Sequence, residues 1–192
     1  MSSNNGPPAG HAAYRDLLLQ LARQAIQHGL THSEPMAVEP QDYPAPLREP
    51  RACFVTLQLD GQLRGCIGSL EAFQPLVADL AANAHAAAFH DPRFPPLTSP
   101  EFDRLSIHIS ILSPPEPLAF ADEQDLLEQI RPGVDGLVLS ADGHRGTFLP
   151  SVWESLSDPR QFVNQLKRKA GLPPDYWSDR IEVWRYTAET IE

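Results

Sequence analysis

The chain has 192 residues, a formal net charge of −10 and a sequence pI of about 5.1. That length is enough for one domain with a sizeable core, or one domain with a small added lobe. The acidic balance argues against binding a nucleic-acid backbone or an anionic membrane surface, both of which require clustered Lys and Arg.

Residues 1–10 (MSSNNGPPAG) are polar, lack an apolar core and a basic start, and read as a disordered leader rather than a signal peptide. Leu17, Leu18, Leu21, Ala25 and Ile26 form an apolar stripe at three- and four-residue spacing, which predicts a helix from His11 to Gly29. Thr31 to Pro50, with four prolines before Pro50, reads as an extended connection. Ala52–Leu59 and Leu63–Ile67 flank Asp60-Gly61, a hairpin signal, because glycine supplies the positive φ that such turns need. Pro75 to Phe89 is an alanine-rich helix that Asp91-Pro92 ends. Leu105–Leu112 (LSIHISIL) alternates apolar and polar residues as a strand does.

A short helix follows over Glu123–Ile130, then a second hairpin around Asp142-Gly143, with strands Gly136–Ala141 and His144–Leu149. Asp158 is an N-cap with Pro159 at the first helical position, and Gly171 stops that helix. Arg180–Thr187 is the last expected strand. Hairpins mixed with helices give an α+β class: an antiparallel or mixed sheet flanked by helices, with a smaller second lobe, in a single domain over 11–190. No repeat is evident in the sequence.

Chemistry concentrates in Leu63-Arg64-Gly65-Cys66-Ile67-Gly68. Strand alternation puts Arg64 and Cys66 on one face, with Leu63 and Ile67 facing a core. A guanidinium beside a thiol favours the thiolate, the nucleophilic form, and backbone bared at Gly65 and Gly68 can hold an oxyanion. The structural alternative is a buried Cys66 acting as a small hydrophobe, with Arg64 in an ion pair. In Phe89-His90-Asp91-Pro92-Arg93-Phe94, His90 with Asp91 suits a general base; alternatively Asp91-Pro92 is a helix exit, with Arg93 paired to a nearby carboxylate. His108 lies on the polar side of LSIHISIL, facing either solvent or a cleft. His144-Arg145-Gly146-Thr147 offers Arg145 and Thr147 to an anion, or is ordinary exposed hairpin charge. No acidic cluster adjoins the histidines, and neither a metal nor a cofactor is expected. A disulfide between Cys53 and Cys66 is conceivable, but two free thiols in a cytoplasmic protein is the expectation.

The LRGCIG block resembles the signature of the AMMECR domain family. Further stretches resemble that family in order: Asp91-Pro92-Arg93-Phe94, Ile109-Ser110-Ile111-Leu112-Ser113-Pro114, Gly133-Val134-Asp135-Gly136-Leu137, Thr147-Phe148-Leu149-Pro150 with Val152-Trp153, and Leu166 to Leu172 with Tyr176-Trp177. The resemblance implies an α+β fold with a smaller lobe and a cleft around LRGCIG. It implies membership in the AmmeMemoRadiSam grouping as its protein A, beside a Memo-type protein and a radical SAM enzyme. It implies no defined reaction. Two functions follow: a module that binds a small molecule and those partners, or an enzyme with Cys66 as nucleophile, assisted by Arg64 and by His90 or His108.

Overall fold

The computed structural model describes residues 10–192. The leader expected over residues 1–10 falls, except for Gly10, outside the described residues. Six α-helices run in chain order: α1 (Arg15–His32), α2 (Ala45–Arg48), α3 (Leu76–Phe89), α4 (Ser99–Phe102), α5 (Glu123–Gln129) and α6 (Pro159–Lys169). The strands are β1 (Cys53–Leu59), β2 (Gln62–Gly68), β3 (Leu105–Leu112), β4 (Glu116–Leu118), β5 (Gly136–Ala141), β6 (His144–Phe148), β7 (Glu182–Tyr186) and β8 (Ala188–Ile191). They form two four-stranded sheets, ordered β2-β1-β3-β8 and β4-β7-β5-β6. The α+β class with a second lobe is therefore the observed one. The chain divides into two compact units: one runs up to Leu112 and takes in Glu189–Glu192, and the other is Ser113–Ala188.

In the first unit, Cys53, Val55 and Leu57 of β1 and Ile107, Ile109 and Ile111 of β3 share one sheet face and are buried against α1 and α3. The alanines of α3 let it lie close to that face. Helix α1 buries Leu18, Leu21, Ala22, Ala25 and Ile26, and runs past the stop expected at Gly29 to Ser33, which caps it at φ 59°. Gly29 is instead a crossing point with α3. A Cβ there would lie 2.4 Å from Cε2 of Phe89 and 2.8 Å from Cδ2 of His85.

In the second unit, α6 lays Phe162, Val163 and Leu166 over Leu137 and Leu139 of β5 and Val183 of β7. Trp153 stacks on Phe162 with ring centroids 3.8 Å apart. Asp158 caps α6 as expected, its carboxylate accepting the Gln161 N–H at 2.8 Å. The extended connection before β1 contains a short turn of helix, α2, whose Leu47 is fully buried.

Both units repeat one plan: a hairpin, a helix over it, and a third strand antiparallel to the hairpin's first. It reads β1-β2-α3-β3 in one and β5-β6-α6-β7 in the other. The fourth strands are exchanged. After β3 the chain supplies β4 to the second sheet, and after β7 it returns β8 to the first. Both were missed in the sequence because they are short. β4 holds three residues, including Pro117, which an edge strand tolerates.

Candidate functional site at the edge of the first sheet

The hairpin β1–β2 contains a β-bulge. Leu57 pairs with Gly65 and Gln58 with Leu63, so Arg64 is one residue too many for its partner strand. The bulge breaks the alternation that would place Arg64 beside Cys66. Leu63, expected in the core, turns to the other face and is 44% exposed. Gly65 faces α3, where a Cβ would come 2.1 Å from the carbonyl oxygen of Ala87. Its role is close backbone approach, which no other residue type permits.

Arg64 is buried and its charge is committed. Its Nε donates to Oε1 of Glu101 at 2.9 Å, and its Nη2 donates to Oε2 at 3.1 Å and to the Pro95 carbonyl at 3.0 Å. Glu101 is also the N3 member of the capping box that opens α4, accepting from the Thr98 N–H and hydroxyl. Arg64 foremost, with those Thr98 bonds, holds the Glu101 carboxyl down at about 2. Nη1 of Arg64 is buried and has no partner among the described residues.

Asp91 and Arg93 cover the outer edge of β2. One oxygen of Asp91 accepts the Cys66 N–H at 2.9 Å, and Nη2 of Arg93 reaches the Cys66 carbonyl at 3.4 Å. Arg93 donates to both carboxylate oxygens of Asp91, at 3.0 Å through Nε and 2.7 Å through Nη2. The pair gives the edge strand the donor and acceptor that a neighbouring strand would have offered. Arg93, followed by the N–H of Cys66, holds the Asp91 carboxyl well below the usual carboxylate range.

Cys66 lies on the face away from α3, half-buried, with its Sγ 3.2 Å from Oγ1 of Thr56 directly across the ladder. Thr56 in turn sits opposite His108 of β3, whose Nδ1 is 2.8 Å from a carboxylate oxygen of Glu192. Cys66, Thr56 and His108 thus form one cross-strand row. Gly68 lies beside the ring of Phe54 on the same face, where a Cβ would meet the ring at 2.2 Å. Cys53 points the other way, into the core. Its N–H and thiol both donate to Asp79, and burial pushes its thiol well up. The two cysteines are free and on opposite faces of the sheet, so no bond joins them.

His90 is exposed at the end of α3, with its ring 5.2 Å from that of His85, and no contact with Cys66 is present. Arg145 and Thr147 lie on β6 in the second unit, opposite Ser140 and Val138. The Thr147 hydroxyl is 3.0 Å from that of Tyr186, which donates to the Phe148 carbonyl and is pushed by burial up to about 12. Of the residues expected at the site, Arg64, Gly65, Cys66, Gly68, Asp91 and Arg93 therefore belong to β2 and the segment covering it. His108 joins through Thr56. Sequence reasoning missed Thr56, Glu101 and Glu192; the Thr98-x-x-Glu101 capping pattern was the one signal present for them.

A family model described as AMMECR1 matches residues 19–191. The chain belongs to the AMMECR1 family. Among its relatives, a protein of Methanothermobacter thermautotrophicus is 40% identical over 174 residues, covering 90% of each chain. One of Methanocaldococcus jannaschii is 40% identical over 79% of this chain and 78% of its own. The crystal structure of an uncharacterised protein from Pyrococcus horikoshii superimposes with a TM-score of 0.82 at 35% identity, covering 93% of this chain and 90% of that one. In this AMMECR1 chain the LRGCIG and DPRF motifs are thus one structure, a bulged edge strand and its cover. No helix among the described residues is long and apolar enough to cross a membrane.

Proposed function

We propose that the chain is a binding module that holds a small molecule, or presents a partner's substrate, on the open face of the first sheet around Cys66. Its companions are a Memo-type protein and a radical SAM enzyme, and it works with them in the cytoplasm. One observation carries the reading: the charged groups of the two motifs are already paired within the protein. Arg64 is tied to Glu101, Asp91 to Arg93 and the Cys66 N–H, and the Cys66 thiol touches a hydroxyl rather than a base. A nucleophilic cysteine needs an adjacent base or cation to favour its thiolate, and Arg93, a cation near Cys66, is already bound to both carboxylate oxygens of Asp91.

A second reading rests on the row Cys66–Thr56–His108 and the His108–Glu192 pair. There Cys66 is a nucleophile and the carboxylate-held imidazole is its base, with the Thr56 hydroxyl between them. The rate of iodoacetamide labelling against pH, on wild type and on Cys66→Ser, Cys53→Ser and His108→Ala, separates the two. The binding reading expects the pH profile of Cys66 labelling to be the same in wild type and His108→Ala, and the tagged protein to retain both companions in Cys66→Ser. A Cys66 profile that moves when His108 is removed favours the enzyme.

A further inference from the structure

Where α1 and α3 end lies a cavity of about 340 Å³, framed by the last turn of α1 at Leu30 and Ser33, the last turn of α3 at His85, Phe89 and His90, and Leu97 beyond it. That volume suits a small molecule. His85 is 5% exposed and lines the cavity, yet its ring makes no hydrogen bond among the described residues. Its nitrogens are not enclosed, since the buried side-chain atom without a partner among the described residues is Nη1 of Arg64, so they open onto the cavity where a ligand can reach them. Its neighbours are rings: Phe89 at 4.9 Å and His90 at 5.2 Å between centroids. Burial first, then His90 and His28, pushes the His85 pKa down, so its ring is neutral at neutral pH and presents a nitrogen lone pair.

Charge sets the sign of the ligand. Helix carbonyls carry partial negative charge at a C-terminus, and two long helices, α1 and α3, end at this cavity. The ionisable groups near it are His90, and on α1 His28, which stacks on His32 at 4.2 Å and lies 3.9 Å from Glu34. Neither Lys nor Arg lines the cavity. An anion would meet two negative helix ends with no cation to offset them. Among the described residues no three histidines, cysteines or acids are placed to hold a metal ion, so an organic cation fits better than a metal. Aromatic rings also attract such cations.

We propose that this cavity binds a small organic ammonium ion, with an ammonium N–H donated to His85 and the charge set against the C-terminal ends of α1 and α3. The cavity shares no lining residue with the Cys66 face of the sheet, and the proposal does not depend on the function given to that face. Three probes of one shape test the proposal: benzylammonium, benzyl alcohol and benzoate, each followed through the histidine ring signals by NMR. Benzylammonium is expected to shift the His85 signals saturably and to lower the His85 pKa further. Benzyl alcohol should bind about tenfold more weakly and benzoate more weakly still. In His85→Leu the benzylammonium affinity should fall by about tenfold while the His108 signals stay in place. Equal binding of the three probes, a preference for benzoate, or no saturable shift at His85 in the wild type overturns it. The wild-type comparison decides even if the variant fails to fold.

Discussion

Between the turn and the Arg-Gly pair, the hairpins of the two units differ in length by a single residue. Both turn on Asp-Gly, with Asp60 at φ 52° and Asp142 at φ 51°, and Gly61 and Gly143 at 78° and 80°. Both return through Arg-Gly, and in both the glycine lies beneath the following helix: Gly65 under Ala87 of α3, Gly146 under Ala170 at the end of α6. Gly146 follows Gly143 by three positions, and Gly65 follows Gly61 by four. The added position is the bulge. Without it, Arg145 pairs in register with Ser140 and stays exposed. With it, Arg64 leaves the ladder and enters a buried bond with Glu101. One inserted residue thus goes with the change from an exposed arginine in the ladder to one buried on Glu101.

The largest difference between the units should come from their buried ion pairs. Glu101→Gln leaves the Arg64 charge buried without a counter-charge and should cost about 4 kcal/mol, measured by urea denaturation. The double variant Arg64→Met, Glu101→Leu should recover most of that loss. In the second unit Lys167 is fully buried against Glu123 at 2.5 Å. Glu123→Gln should cost about 2 kcal/mol by the same measurement.

Acid should separate the units next. Glu101 is held at about 2, against an ordinary 4.5, and Asp91 is also depressed. Carboxyls depressed on folding stabilise fully above their unfolded pKa, and that contribution is lost as the pH falls through the folded one. Amide exchange in β1–β3 should therefore accelerate between about pH 4.5 and 2, relative to β5–β7, and Glu101→Gln should flatten the difference.

Packing beneath the helices comes third. Gly65→Ala drives a methyl group into a backbone carbonyl and should cost about 3 kcal/mol. Gly146→Ala, whose nearest neighbour is the Ala170 nitrogen at 2.9 Å, should cost about 1 kcal/mol by the same assay. Gly61→Ala and Gly143→Ala, comparable in size of effect to Gly146→Ala, meet open space, and only the positive φ opposes them. Each should lower stability by about 1 kcal/mol, equally in the two hairpins. A clear inequality would show that the turns, and not only the bulge, differ.

Local chemistry made much of the fold legible. The Asp-Gly turns, the alternation of LSIHISIL and the Asp158 cap each act within a few residues, and each lies where the sequence put it. The site was legible as a segment but not as an arrangement. Nothing in LRGCIG announces a bulge, because the extra residue is defined only against Leu57 and Gln58 on the partner strand. Arg64 and Cys66 were therefore read onto one face. Likewise Glu101, Thr56 and Glu192 reach their partners through the tertiary fold, over 37, 10 and 84 residues of chain. The repeated plan escaped notice because its two hairpins share little beyond Arg-Gly and differ in length at that point.

The exchanged strands carry a consequence for synthesis on the ribosome. β3 and the core beneath it emerge early, but β8, with its buried Ile191, follows only after the whole of the second unit. Glu189 of that strand also fastens the first helical turn, accepting from the backbone N–H groups of His11 and Ala12. Until β8 emerges, the nascent first sheet must therefore wait with one flank of β3 bare, while the second unit, Ser113–Ala188, is complete in sequence some residues sooner. The half of the protein translated first is the half that matures last, a vectorial delay during which an unpaired edge is exposed to aggregation.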